Sequence, residues 1–131
     1  FDALTMWYVI EHFEQLDAVL KKVSALVKQG GIFAFSTPSA SGISARCNAQ
    51  AFFEQSPNDH FSLWEPRYAH AILRRYGLQV EKIVPTGIHP ERFPHCKDIQ
   101  RTGLQFKLLE HASRVFKLGD TCEMYCKKLT F

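Results

Sequence analysis

Phe1-Asp2-Ala3-Leu4-Thr5-Met6-Trp7-Tyr8-Val9-Ile10-Glu11-His12 decides how the rest of the chain is read. Phe1 to Trp7 is an apolar run of strand length, and it predicts a strand buried on both faces. An aromatic residue and then a Glu-His pair follow, where the strand would turn into its next element. From Phe13 the period changes. Phe13, Leu16, Val19, Leu20, Val23, Leu26 and Val27 recur at steps of three and four, while Glu14, Gln15, Lys21, Lys22 and Lys28 face away. That is an amphipathic helix, acidic near its start and basic near its end as the helix dipole favours. Gly30-Gly31 reads as its stop, because glycine takes a left-handed C-cap without a Cβ clash. Ile32-Phe33-Ala34-Phe35-Ser36-Thr37 is then a second buried strand, ended by Pro38. Strand, helix and strand make a βαβ unit with a right-handed crossover. A complete domain rarely opens on a core strand. The expectation is therefore a chain that supplies the C-terminal portion of a larger α/β domain.

Residues 39–61 break this rhythm. Ser39, Ser41, Gly42 and Ser44 open the stretch, Ser56-Pro57-Asn58-Asp59 closes it, and Ala45 to Phe53 reads as a short helix. The whole is read as an insertion or lid over the strand ends. Ser62-Leu63-Trp64-Glu65 has the capping-box pattern and predicts a helix start, with Pro66 tolerated in the first turn. Tyr68, Ala69, Ile72, Leu73 and Tyr76 form its apolar face, and Gly77 ends it. Leu78 to Val84 reads as a third strand, and residues 85–103 as a loop region. Leu104, Leu108, Leu109, Ala112, Val115 and Phe116 mark another amphipathic helix, stopped near Gly119. Thr121 to Thr130 alternates, with Cys122, Met124 and Cys126 on one face; this is a final strand, antiparallel and partly exposed.

The composition narrows the function classes. A length of 131 residues allows one domain with a real core. Hydrophobic residues at 46% and charged residues at 22% are ordinary for a globular protein. The net charge of +3 is small and its Lys and Arg residues are dispersed, so no nucleic-acid partner is expected. No apolar stretch reaches membrane-spanning length. The four cysteines form no C-x-x-C pair and read as reduced thiols of a cytoplasmic protein. Six histidines show neither H-x-x-x-H nor H-E-x-x-H spacing, and no bound metal is expected.

Element order and local motifs together resemble a known family. Phe1-Asp2 with Val9-Ile10-Glu11-His12-Phe13, then Leu26-Val27-Lys28-Gln29-Gly30-Gly31 and Phe35-Ser36-Thr37-Pro38, resemble class I S-adenosylmethionine-dependent methyltransferases. The subgroup is that of the ubiquinone-pathway O-methyltransferases and small-molecule methyltransferases. Asp59-His60-Phe61-Ser62 before the helix that ends at Tyr76-Gly77-Leu78, and Leu118-Gly119-Asp120-Thr121, are similar to it too. The resemblance covers nearly the whole chain. It implies an α/β fold: part of a Rossmann-like, seven-stranded mixed sheet of order 3-2-1-4-5-7-6. This chain would hold strand 4 (1–7), strand 5 (32–37), strand 6 (78–84) and an antiparallel strand 7 (121–130). Strands 1 to 3 would be absent, and with them the glycine-rich loop and the acidic residue that hold most of the cofactor. No such loop exists here, and Gly30-Gly31 precedes a strand instead of joining strand to helix.

The resemblance also implies S-adenosylmethionine as cofactor, bound mainly by the absent half, and methyl transfer to an O or N of a small-molecule acceptor. Ligands of open α/β sheets bind beyond the carboxyl ends of the strands. Trp7 and Tyr8 at the first such end are the expected cofactor contacts, since an aromatic face attracts the sulfonium cation. His12 and His60 are candidate bases, with Asp59 able to orient His60. The alternative for Glu11-His12 is a structural one, with the pair capping the helix start. Pro38 and Ser39 at the second strand end, with Phe52, Phe53, Asp59, Trp64 and His89, are expected to line the acceptor pocket. Phe52, Phe53 and Trp64 are equally open to a lid-packing role. Two other readings stand beside this one: a non-catalytic binding module on the same fold, and a metal-dependent enzyme built on His12, His60 and His89. The unpaired edge of residues 1–7 predicts a homodimer.

Overall fold

The computed structural model describes residues 1–130. The opening run forms β1 (Ala3–Trp7), and β2 (Ile32–Pro38) lies parallel beside it, with Thr5 opposite Ala34. Between them α1 (Leu16–Leu26) completes the expected βαβ unit. The last strand, β4 (Thr121–Lys128), runs antiparallel to β2, with Phe35 opposite Met124. On its other side lies β3 (Leu78–Thr86), also antiparallel, with a bulge between Val80 and Lys82. The order β1-β2-β4-β3 corresponds to 4-5-7-6 of the family sheet. Pro85 fits because β3 bonds to a strand on one side only, where a missing N–H costs least.

The core follows from this order. β2 is flanked on both sides, and every residue from Phe33 to Thr37 is buried. Phe33, Phe35, Met124 and Cys126 meet Leu20 and Val23 of α1 and Ala69 and Leu73 of α4 (Pro66–Arg74). Phe35 lies 5.1 Å from the Phe33 ring and 5.0 Å from Trp64. Aromatic contacts at such spacing add stability beyond their buried area.

Several expectations need correction. β1 is not buried on both faces: Leu4 and Met6 pack on the core, while Ala3, Thr5 and Trp7 are exposed. Only the side facing α1 is covered among the described residues. Helix α1 ends at Leu26, before the glycines; Val27 N–H closes it on the carbonyl of Val23. Gly30, at φ 75, instead turns the chain into β2, and its N–H donates to the carbonyl of Lys128. The capping box does not form. Glu65, with no capping side-chain bond, precedes Pro66 at the first helical position, and Trp64 bridges to Ser39. Proline's fixed φ starts this helix. Residues 39–61 hold two short helices, α2 (Ile43–Cys47) and α3 (Ala49–Glu54), the second capped by Asn48 Oδ1 on the N–H of Ala51 at 3.0 Å. Finally, α5 (Leu104–Val115) forms as expected, but Leu104, Leu108, Val115 and the following Phe116 are exposed.

Candidate functional site

The carboxyl ends of β1 and β2 gather most of the chemistry-bearing side chains. Trp7 ends β1 at 45% exposure, its ring edge-on to Tyr125 at 6.4 Å. Tyr8 follows at φ 54, a left-handed angle that a bulky residue adopts only at a cost. Two acceptors on β2 hold it there: its N–H donates to the carbonyl of Ser36 at 3.1 Å and to Ser36 Oγ at 3.0 Å. The Tyr8 hydroxyl reaches Thr121 Oγ1 at 3.4 Å. Both rings are about half exposed, and both reach toward β4, Trp7 to Tyr125 and Tyr8 to Thr121.

The chain then makes a 3₁₀ turn over Ile10–His12. The turn buries Ile10 and Glu11 and leaves His12 exposed. Glu11 is 1% exposed, and its Oε2 has no hydrogen-bond partner among the described residues. Its backbone carbonyl accepts from Phe61 N–H at 2.8 Å and Ser62 N–H at 3.3 Å, which ties the end of the 39–61 segment to this turn. Nδ1 of His12 lies 3.1 Å from both the carbonyl oxygen and Oδ2 of Asp59. The His12 and His60 rings meet edge to face at 4.8 Å. One ligating atom each of Glu11, His12 and His60 falls within 4.8 Å of the others, so these three could hold a metal ion.

Beside this cluster opens a cleft of about 610 Å³, within the usual size range for small-molecule sites. Pro38, Phe52 and His60 line it, together with Ser44, Asn48 and Arg92. Among the described residues no Asp or Glu is in its wall. Arg92 stands in a 3₁₀ turn, Pro90–Arg92, and donates from Nη1 to Asp120 Oδ2 at 2.6 Å and to Ser44 Oγ at 2.9 Å. Asp120 also accepts from the N–H and Oγ of Ser44, at 2.8 and 2.7 Å. This clasp fixes α2 and the guanidinium to the start of β4.

The remaining candidates lie elsewhere. Asp59 stays with His12 and is exposed. Phe53 is 60% exposed and packs edge-on to Phe52. Ser39 is buried, with its Oγ bonded to Ser41. Trp64 belongs to the core. His89 pairs with Glu91 at 2.9 Å and stands apart from the Glu11–His12–His60 group. The Glu91 carboxyl is held below the usual carboxylate range, chiefly by its own backbone N–H; burial opposes this, and the bond from His89 adds to the lowering. Sequence reading missed Ser44, Arg92 and Asp120. Asp120 carried a signal, as a charge directly before an apolar strand and after Gly119; Arg92 carried none beyond lying in a proline-rich loop.

Comparison with known proteins agrees with the fold. No curated protein sequence matches the chain. A similar solved structure is a SAM-dependent methyltransferase of Archaeoglobus fulgidus, 17% identical, TM-score 0.63, covering 97% of this chain and 59% of that one. Another is a SAM-dependent methyltransferase of Thermotoga maritima described as a possible histamine N-methyltransferase, 14% identical, TM-score 0.65, covering 98% and 56%. The [4+2]-cyclase SpnF shares the fold at 10% identity and TM-score 0.56, covering all of this chain (100%) and 50% of that one. The chain thus spans little more than half the length of these neighbours, and at such identities they speak for the fold alone. The family profile described as a methyltransferase domain matches residues 1–83, the stretch that carries β1, α1, β2, α2, α3 and α4, and the chain belongs to that family.

Proposed function

We propose that the protein transfers a methyl group from S-adenosylmethionine to an O or N of a small-molecule acceptor, as a cytoplasmic enzyme. In this reading the chain supplies the C-terminal portion of the methyltransferase domain, with the lid (39–61) and the acceptor side of the site. The observation that carries it is the position of His60, which lines the acceptor cleft and contacts His12 beside the strand ends. When bound, S-adenosylmethionine supplies an electrophilic methyl on a sulfonium. Trp7 and Tyr8 suit its rim, since both aromatic rings are exposed there and Ser36 pins the turn that presents them. His60 takes the proton that the acceptor hydroxyl or ammonium gives up, and Asp59 orients His12 behind it. Pro38 and Phe52 hold the acceptor's apolar part. Positioning of this kind supplies much of the rate in such displacements. The free edge of β1 suits either a further strand of the same domain or a second copy of the chain. Calorimetry with S-adenosylmethionine tests the division of labour. The full protein is expected to bind it, and residues 1–131 alone weakly or not at all; tight binding by the 131-residue chain overturns the assignment.

The unpartnered Oε2 of Glu11 favours a second reading, in which Glu11, His12 and His60 hold a divalent cation that meets the acceptor oxygen. A buried carboxylate oxygen without a donor is costly, and a cation relieves that cost. Titration with Mg²⁺ and Mn²⁺ decides it: stoichiometric binding lost in Glu11→Gln supports this reading, and no binding removes it.

A further inference from the structure

We propose that the acceptor taken by this cleft carries a carboxylate, and that Arg92 receives it; the proposal rests on the methyl-transfer reading of the site. Among the described residues Arg92 is the one Lys, Arg, Asp or Glu in the cleft wall, and the carboxylate that pairs with it, Asp120, stands behind it and outside the lining. Its guanidinium is held from one side only. Nη1 is committed to Asp120 Oδ2 and Ser44 Oγ, while Nε and Nη2 have no protein partner among the described residues. Those two nitrogens form the side of the guanidinium that donates two parallel bonds to a carboxylate.

The support behind the guanidinium is built. Asp120 is 8% exposed and accepts from three donors, the Ser44 N–H, the Ser44 hydroxyl and Arg92. Its charge is thus satisfied by the clasp and turned away from the cleft, whereas the Arg92 side chain is 47% exposed. An arginine fixed in this way loses little rotamer freedom on meeting a ligand. Phe52 and Pro57 supply an apolar wall in the same cleft, and His60 completes it with a proton acceptor. The site therefore suits a small molecule with an apolar body, a carboxylate at one end and the methyl-accepting O or N at another.

The test is binding by the full protein of paired probes of equal shape, each acid against its amide: benzoate and benzamide, indole-3-carboxylate and indole-3-carboxamide, hexanoate and hexanamide. Calorimetry or ligand-detected NMR at low salt should show at least one acid bound roughly tenfold tighter than its amide, the scale of a hydrogen bond to a charged group. Added salt should shrink that preference. Arg92→Gln should abolish it. Arg92→Lys keeps the ion pair with Asp120 but loses the two-pronged side, and should cut the preference to about threefold or less. If Arg92→Gln does not fold, the acid-to-amide ratio of the unaltered protein and of the lysine variant still decides. Acids bound no better than amides in every pair, or a preference unchanged in Arg92→Lys, overturns the proposal. Its failure is separable from that of the reading beneath it. Acid preference without S-adenosylmethionine binding sinks methyl transfer and leaves the carboxylate site standing. Methylation of acceptors with no acid preference does the reverse.

Discussion

Tyr8 occupies a backbone angle, φ 54, that costs a non-glycine residue about 1–2 kcal/mol. Ser36 holds it there through two hydrogen bonds. Glycine adopts that angle freely. Tyr8→Gly should leave the thermal midpoint within a few degrees of the parent, while weakening S-adenosylmethionine binding by the full protein severalfold. A collapse of the melting temperature would mean that the ring holds the fold and not the cofactor. His60 invites a sharper test. As the proposed base, His60→Ala should lower kcat by roughly 10²–10⁴. Unchanged kcat would move the role to His12 or leave the site without a base. Both histidines and Asp59 were legible in the sequence as polar residues at strand and helix boundaries. Glu11 was legible only as a neighbour of His12. Its burial depends on the 3₁₀ turn and on the lid's end closing over it, which no local pattern announces.

Elements whose periodicity is local were read correctly: β1, α1, β2, α5 and β4 all fall where their apolar spacing places them. The start of α4 was not. Ser-x-x-Glu is a short pattern, and here Ser62 N–H is drawn onto the Glu11 carbonyl while Ser62 Oγ makes no bond among the described residues. Ser62→Ala should therefore cost well under the ~1 kcal/mol of a lost cap, whereas Asn48→Ala, which removes a real cap from α3, should cost about that amount. Denaturant melts of both variants make the comparison, and a larger loss for Ser62→Ala would restore the capping box. The lid's attachment is equally testable. A Cβ on Gly42 would lie 2.5 Å from Asp120 Oδ1 and 2.6 Å from its Cα. Gly42→Ala should destabilise by about 1–3 kcal/mol, the usual cost of overpacking, and should speed proteolysis within residues 43–60. A variant as stable and as protease-resistant as the parent would show that the clasp is loose.

Across the whole molecule, burial sets thiol reactivity. Cys47 is exposed, and Cys96, Cys122 and Cys126 are buried. A thiol-specific reagent should label one cysteine quickly in the folded chain and the other three only on unfolding. Burial pushes the Cys122 and Cys126 thiols up to about 12. Unfolded thiols ionise near ~8.5, so between there and about 12 the folded state binds more protons. Stability must then fall as pH rises through that window, with no contribution from these groups at neutral pH. Melting temperatures at stepped alkaline pH should decline, and less steeply in a Cys122→Ala/Cys126→Ala variant; parallel declines would assign the effect to other groups. By itself the sequence determined the elements, because the spacing of apolar residues within one helix or strand is a local property. Through its motif order it also carried the family resemblance and hence the strand order. The tertiary structure alone decided the site: His12 meets Asp59 across 47 positions, and Ser44 meets Asp120 across 76. Hydrogen bonds between such distant partners leave no spacing in the chain to read. They exist only once the β1-β2-β4-β3 sheet has brought its strand ends and the lid together.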